Sequence, residues 1–453
     1  MTLALGALAG LGRNTITGML CTTGQQFRDW SAAYRLFSTP RFEPDCLFGV
    51  ARAAVAQELE PQTPYCAAID DTLLRKTGKR VYGAGWRRDP LGPPFQTNLV
   101  WGQRFVQIAA ALPDADQPGP ALSIPIDFLH APTPNKPKEM ADEEVWKKYR
   151  EECKTHNLSL VAAQRIQLLR RHLDADGQAA RTLWVSGDGG YTNETVLKQL
   201  PERTVFIGRI RKDAKLYYPP GAEPENVRGR KPSYGLRAPT PEQLRTDETL
   251  PWHTVTAWAA GKKHEFRVKT LARVQWRTAG HTTLLRLVVI APLGYRLRKG
   301  SRLLYRQPAY LICTDPQAPL EKVLQAYLWR WGIEVNHRDE KQLIGVGQAQ
   351  VRAKNSVNHV PALLVASYSL LRLAAYRAYR IGPPLPEVPP PRWYPNGKPQ
   401  PPSMSRVTQQ LRAELWGKAL GLNSSGFPAK DPNVTKPEKR YPDLASAVLY
   451  TAN

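Results

Sequence analysis

Cysteine is scarce in this chain. There are five in 453 residues, at positions 21, 46, 66, 153 and 313. They are odd in number, widely spaced, and never form a CxxC pair. That argues against a structural zinc site or a disulfide framework and for a reducing compartment. Long apolar runs are also missing. No stretch of 18 such residues occurs, so the sequence predicts no membrane span. The opening "MTLALGALAGLG" lacks the basic start of a secretion signal and runs on into a helical pattern, so an internal helix is expected there. No internal repeat or coiled-coil heptad is visible. The glycines of "GVG" at 345–347 are too few for a phosphate-cradling loop, so no nucleotide cofactor is implied. Negative charge is short as well, with 39 acidic against 63 basic side chains, a net charge of +24 and a pI near 9.9.

That imbalance points to a polyanionic partner, nucleic acid first. It is uneven along the chain: residues 201–300 carry 20 basic and 8 acidic side chains, half of the net excess.

Hydrophobic periodicity organises the rest. Residues 1–60 read as helices, with a Thr-Pro break at 39–40. "PYCAAIDDT", "TNLVWGQRFVQIAAAL", "ALSIPIDF", "TLWVSGDGGY", "TVFIGRI" and "PAYLICT" read as strands. One long helix is expected over "DEEVWKKYREECKTHNLSLVAAQRIQLLRRHL". Another is expected over "PLEKVLQAYLWRWGIEVNHRDEKQLIG", with Leu324, Leu328, Trp331 and Val335 as its buried stripe. The pattern predicts an α/β fold with six regions. These are an N-terminal helical DNA-binding region (1–60), a first core part (61–211), a basic β-rich insertion (212–305), a second core part (306–381), a Pro-rich linker (382–403), and a C-terminal helix and tail (404–453).

Three acidic residues stand where a site can form. Asp70, next to Asp71, is expected to end the first core strand; Asp188 ends the "TLWVSG" strand; Glu334 lies on the second helix. They are 118 and 146 residues apart. Carboxylates brought together repel one another, and hard divalent cations relieve the repulsion through oxygen ligands. Two such ions can activate a water or hydroxyl and stabilise the leaving oxygen of a phosphodiester. At about 100° per residue, Tyr327, Arg330, Glu334 and Lys341 share a narrow arc of the helix. A phenol and two cations beside a carboxylate suit the grip on phosphates that such chemistry needs. A solvated face with spaced salt bridges would read the same way in isolation.

"YLWRWGIEVNHRDEK" resembles the Y-x2-R-x3-E-x6-K (YREK) signature of one group of DDE transposases of bacterial insertion sequences. "AIDDT" and "DGGY" resemble that group's first and second carboxylate motifs, and "SAAYRLFS" a segment of its N-terminal region. The resemblance covers roughly residues 20–375. It implies an RNase H-like core, a five-stranded mixed sheet with flanking helices, interrupted by a β-rich insertion between the second Asp and the Glu. Asp70, Asp188 and Glu334 become the catalytic, metal-binding triad. Asp70 is preferred to Asp71 because the pattern is Asp-x-Ser/Thr, and Thr72 follows. Tyr327, Arg330 and Lys341 become contacts to terminal phosphates. The cofactor implied is Mg²⁺, two ions, for which Mn²⁺ can substitute. The partners implied are double-stranded DNA, as terminal inverted repeats and target, and a second copy of the chain in a synaptic dimer. The setting implied is the bacterial cytoplasm, at the nucleoid.

Four further expectations follow. Lys76 and Lys79 in "RKTGKR" face DNA. Trp329 and Trp331 pack rather than stack. Trp252, Trp258 and Trp276 belong to the insertion, where one could stack on a base. The final helix, "SRVTQQLRAELWGKAL", is a candidate for the dimer contact or for holding the partner's DNA end. The alternative to an active transposase is a catalytically silent DNA-binding relative, a repressor or structural factor.

Overall fold

The computed structural model describes residues 1–89, 92–93, 98–113, 119–221, 232–298, 300–381 and 403–419. Nearly all of the Pro-rich linker, and the tail beyond residue 419, lie outside the described residues. Two compact units divide the chain, and neither is continuous in sequence. One holds Met1–Ala51, Leu74–Ala84 and Val335–Asn453; the other holds Arg52–Leu73 and Gly85–Glu334.

In chain order the first elements are helices α1 (Thr2–Ala9), α2 (Ile16–Thr22), α3 (Ser31–Ser38) and α4 (Gly49–Glu58). Strands β1 (Tyr65–Arg75), β2 (Gly85–Arg88), β3 (Leu99–Pro113) and β4 (Ala121–His130) follow. Next come α5 (Glu143–Thr155), α6 (Leu158–Ala175), β5 (Leu183–Gly187), α7 (Glu194–Leu197) and β6 (Thr204–Arg209). The basic region holds β7 (Leu216–Tyr217), α8 (Pro241–Thr246), β8 (His253–Ala259), β9 (Lys262–Trp276), β10 (Gly280–Ile290), β11 (Gly294–Tyr295) and β12 (Leu304–Tyr305). The chain continues through β13 (Ala309–Cys313), α9 (Leu320–Trp329), α10 (Trp331–Gln342), α11 (Lys354–Ile381) and α12 (Met404–Ala419).

The helical unit is built on close backbone approach. A Cβ on Gly6 would stand 2.3 Å from the Met19 carbonyl oxygen, so α1 and α2 cross only because residue 6 is glycine. Asn14 ties the turn between them to the chain after α10, donating from Nδ2 to the Ile344 carbonyl at 2.7 Å. Helix α12, the candidate for the dimer contact or for holding a DNA end, packs one face within its own unit. Arg412 donates to the carbonyls of Leu8 (2.9 Å) and Leu343 (3.1 Å), and Trp416 Nε1 to that of Ala9 (2.9 Å). Val407 and Ala413 are buried on the same helix. The first and last described helices thus cover each other.

The other unit is organised by an 11-stranded sheet. Its order is β2–β3–β1–β5–β6–β13–β10–β9–β7, with β4 also pairing β3 and β8 pairing β9. β1, β5 and β6 are parallel neighbours, and β3 and β4 form an antiparallel pair. The subset β4–β3–β1–β5–β6 is the five-stranded mixed sheet of an RNase H-like fold. Strands β7 to β10 of the insertion join the core sheet, and β11 and β12 pair with each other apart from it. β10 pairs antiparallel with β13, and β13 with β6, so the insertion extends the core sheet edge to edge. Leaving β13 unpaired on that edge would expose a row of backbone donors and acceptors.

Helix α9 packs on this sheet through buried Val323, Leu324 and Ala326, which share a core with Val205, Ile207, Val288 and Leu311. Full burial of a valine or leucine contributes about 1.5–3 kcal/mol. Helix α6 is pinned by Arg165, which grips Asp127 of β4 with Nε and Nη2 at 2.6 and 2.5 Å. The single helix expected over 142–173 is two, α5 and α6. Asn157 breaks it by N-capping α6, its Oδ1 accepting the Leu160 N–H at 2.8 Å. Among the described residues no helix is long and apolar enough to cross a membrane.

Candidate active site

The site begins with the register of two parallel strands. β1 and β5 pair from Tyr65↔Leu183 to Ile69↔Gly187. Asp70 and Asp188 are the next residue on each strand, so the two aspartates leave the pairing side by side; parallel neighbours run about 4.8 Å apart. β1 does not end at Asp70 as expected from sequence, but continues to Arg75. What ends there is its pairing with β5, because the chain turns away at Asp188. That turn is held by the aspartate itself. Asp188 Oδ1 accepts the N–H groups of Gly190 (2.8 Å) and Tyr191 (3.3 Å), and its carbonyl accepts the Thr192 hydroxyl at 2.7 Å. Gly187 is glycine because a Cβ there would lie 2.8 Å from the Phe206 ring.

Asp70 and Asp71 separate as strand alternation requires. Asp71 accepts the Tyr191 hydroxyl at 2.9 Å and lies 3.8 Å from Arg104 Nε. Burial, followed by the charges of Asp71 and Asp70, raises the Tyr191 phenol far above its ordinary value, so it stays a neutral donor. Asp70 instead meets the helix that carries Glu334. Arg330 Nη1 is 3.5 Å from Asp70 Oδ2, and Nη2 is 3.2 Å from Glu334 Oε1. The arginine side chain is only 14 % exposed, against 18 % for Asp70 and 35 % for Glu334. Burial alone would lower its pKa. Tyr327, Asp70, Glu334 and Asp188 together outweigh that and hold it above its ordinary value. One guanidinium therefore sits in the field of all three expected carboxylates. Its carbon also stands 5.7 Å from the centre of the Tyr327 ring.

The helix expected as one continuous element changes at this arginine. α9 ends at Trp329 and α10 begins at Trp331. Arg330 keeps helical backbone angles, but the Arg330 and Ile333 N–H groups bond back only three residues, to Tyr327 and Arg330. The expected stripe shifts as a result. Trp329 packs, donating to the Gly119 carbonyl at 2.9 Å, whereas Trp331 is 62 % exposed and does not belong to the core. Ile333, Asn336, His337, Asp339 and Glu340 are the buried residues of α10. Lys341 is exposed. It lies past the division between the units, which falls at Glu334/Val335.

Lys76 does not face outward as expected. It is half-buried and donates to the carbonyls of Gly347 (3.0 Å) and Ala349 (3.2 Å), and burial pushes its pKa down to about 8. Lys79 is exposed. Trp252 is covered by cations, Arg267 at 5.2 Å and Lys269 at 4.7 Å from its ring. Arg104 escaped the sequence reading. Its one signal is that it is the only charged residue in the long apolar strand "LVWGQRFVQIAAALP".

As donors, three carboxylates offer the hard oxygen ligands that Mg²⁺ and Mn²⁺ prefer. In the arrangement described, however, no three His, Cys, Asp or Glu side chains among the described residues are grouped closely enough to hold an ion. Arg330 supplies the countercharge between Asp70 and Glu334 instead. The donor chemistry fits a divalent cation once the guanidinium gives up that position.

The strand order, the parallel β1–β5–β6 trio and the acidic cluster where its pairing ends define an RNase H-like fold with a carboxylate site. The family model of the DDE superfamily endonucleases matches residues 2–283, more than half of the chain, and the protein belongs to that family. Membership implies a DNA substrate and a divalent-metal requirement. The match takes in Asp70 and Asp188 and ends before Glu334. None of the curated proteins matches the chain.

Proposed function

We propose that this protein is a DNA transposase of the YREK type. It would bind the terminal inverted repeats of its insertion sequence, cut the element ends and join them to target DNA, the cut ends passing through a hairpin. The observation that carries the reading is Arg330 bridging Asp70 and Glu334 at the point where β1 leaves its pairing beside Asp188.

In this reading Asp70, Asp188 and Glu334 would hold two Mg²⁺ ions, or Mn²⁺ in their place. When bound, the ions supply a low-pKa water or hydroxyl and charge stabilisation for the leaving oxygen. Arg330 exchanges its carboxylate partners for phosphate oxygens, which it can grip with two parallel N–H groups. The Tyr327 ring stands beside the guanidinium, its centre 5.7 Å from the guanidinium carbon. Lys341 extends the phosphate grip along the helix. Tyr191 and Arg104 hold Asp71 away from the ligands, so that one aspartate of the pair serves the site. Pairing two element ends calls for a homodimer, and the +24 charge suits the DNA bound by it.

The test is cleavage of a labelled duplex carrying the element's own terminal repeat, with Mg²⁺ or Mn²⁺, by the native protein, Asp188→Asn and Glu334→Gln. Cutting at the element end by the native protein alone, with DNA binding retained in both variants, supports the reading. A native protein that binds the repeat without cutting it would instead be a silent DNA-binding relative. Variants that cut as well as the native protein would move the catalytic site elsewhere.

A further inference from the structure

The hairpin of β2 and β3 carries an aromatic surface that the proposed chemistry does not use. Trp86 pairs across the ladder with Trp101, and Arg88 with Leu99. The two indoles meet edge to face with centroids 5.7 Å apart. Trp86 is 63 % exposed and Leu99 51 %, and Arg88 is exposed beside them. The base of the hairpin is fixed. On its opposite face Arg87 donates to the Thr133 carbonyl at 2.6 Å. A Cβ on Gly85 would overlap the Asn135 side chain at 1.9 Å. An exposed tryptophan on a braced support is preorganised to contact something.

Strand alternation says which side of the sheet it faces. Ala68, Ala109 and Ile333 form one small buried cluster, so Ala68 of β1 and Ala109 of β3 point toward the helix that carries Glu334. Asp70 shares the side of Ala68, two residues on, and Trp101 shares the side of Ala109, eight residues back. The β3–β4 register shift at Ile108/Ala109 skips a residue of β4 and leaves the alternation of β3 intact. The tryptophan pair and the carboxylates therefore share one face of the sheet. Arg104, which touches Asp71, is three residues from Trp101, roughly 10 Å along the strand.

We infer that the Trp86–Trp101 pair, with Arg88, is a stacking platform for unpaired bases of the DNA strand held at the carboxylate site. This rests on the proposed DNA function. An indole face stacks on a base face, and a base offers its face only where the strand is unpaired or at a duplex end. Arg88 beside the ring supplies a cation for the adjacent phosphate. Two tryptophans, an arginine and a leucine on a chain of net charge +24 match an unpaired nucleic-acid strand better than an apolar protein surface.

The test uses the full chain and needs no cleavage, so its result is independent of the catalytic reading. A labelled mixed-sequence duplex, either fully paired or with the last few bases at one end unpaired, is titrated without divalent ion, and anisotropy is read. The native protein is expected to prefer the unpaired end by about tenfold, within the range of one base–aromatic stack. Trp86→Ala should abolish the preference and leave affinity for the paired duplex and the melting temperature unchanged. Trp86→Phe should keep most of it. A native protein without the preference, or Trp86→Ala with the native preference, overturns the inference. So does a Trp86→Ala protein that keeps the preference but sediments as a smaller species, which would make the patch a contact between two copies of the chain.

Discussion

Replacing Arg330 by methionine isolates the charge that sits between the carboxylates. Methionine keeps an unbranched apolar stem against Tyr327 and removes the guanidinium. In the native protein that group lies 3.5 Å from Asp70 and 3.2 Å from Glu334 and is 14 % exposed. Removing one partner of a buried pair typically costs about 3–5 kcal/mol, because the other charge is left uncompensated. Glu334 is 35 % exposed and water screens part of that, so about 2–3 kcal/mol is expected here. For a unit of this size the melting temperature should fall by about 5 °C. The ion response should move the opposite way. With the guanidinium gone, two facing carboxylates lack a countercharge, and Ca²⁺ can take its place. Ca²⁺ should therefore raise the melting temperature of Arg330→Met by more than it raises that of the native protein, with half-saturation at a lower ion concentration. Melting followed by circular dichroism, with and without Ca²⁺, reads both effects. If Arg330→Met melts as the native protein does, or if Ca²⁺ shifts the two equally, Arg330 is not the internal counterion of the site.

Four other outcomes follow from the structure. Tyr191→Phe removes the hydroxyl that binds Asp71 but leaves Arg104 beside it; it should cost about 1 kcal/mol in urea unfolding, and a loss above about 3 kcal/mol would mean that Asp71 depends on that bond far more than a single neutral donor explains. Glu242 is held down at about 2 by Arg245 and then by the Tyr310 hydroxyl. A depressed carboxylate contributes stability that is complete above its unfolded value near 4.5 and drains away as the pH falls toward 2; Glu242→Gln should flatten the drop in urea midpoint across that window, and parallel profiles would contradict the pairing. Lys76→Met should lower stability by about 1–2 kcal/mol through the loss of its two carbonyl partners, without changing the salt dependence of DNA binding. Lys79→Ala should leave stability within about 0.5 kcal/mol of native; on the proposed DNA function it reduces the slope of log K against log salt by about one if Lys79 contacts a phosphate.

Much of the architecture is carried by local pattern. The runs "YCAAI", "LWVSG" and "TVFIG" are apolar but for Ser186 and Thr204, as suits strands covered on both faces, and each becomes a central parallel strand. The helical start of the chain and the strand-rich basic region are legible for the same reason. Local pattern has no means of saying that β10 joins β13, because the partners of a strand edge lie far away in sequence. Nor could it place Trp331. Helical spacing assigns it to the buried stripe, but the tightened turn at Arg330 interrupts that spacing, and the indole is 62 % exposed.

The sequence by itself determined the residue types of the candidate site: two aspartates where apolar strands run out, and a glutamate one helical turn from an arginine. Those are local facts, set by side-chain chemistry and by a periodicity of two or 3.6 residues. Only the tertiary structure decided which groups meet. Parallel pairing that stops at Ile69↔Gly187 sets Asp70 beside Asp188 across 118 residues of chain. Alternation along β1 turns Asp70 toward Arg330 and Asp71 toward Tyr191 and Arg104. Lys76, one of several lysines and arginines in "RKTGKR", became structural because two carbonyls near residue 348 needed a donor. Register and partner choice are long-range properties, fixed by which faces bury together, and no window of the chain contains both halves of such a contact.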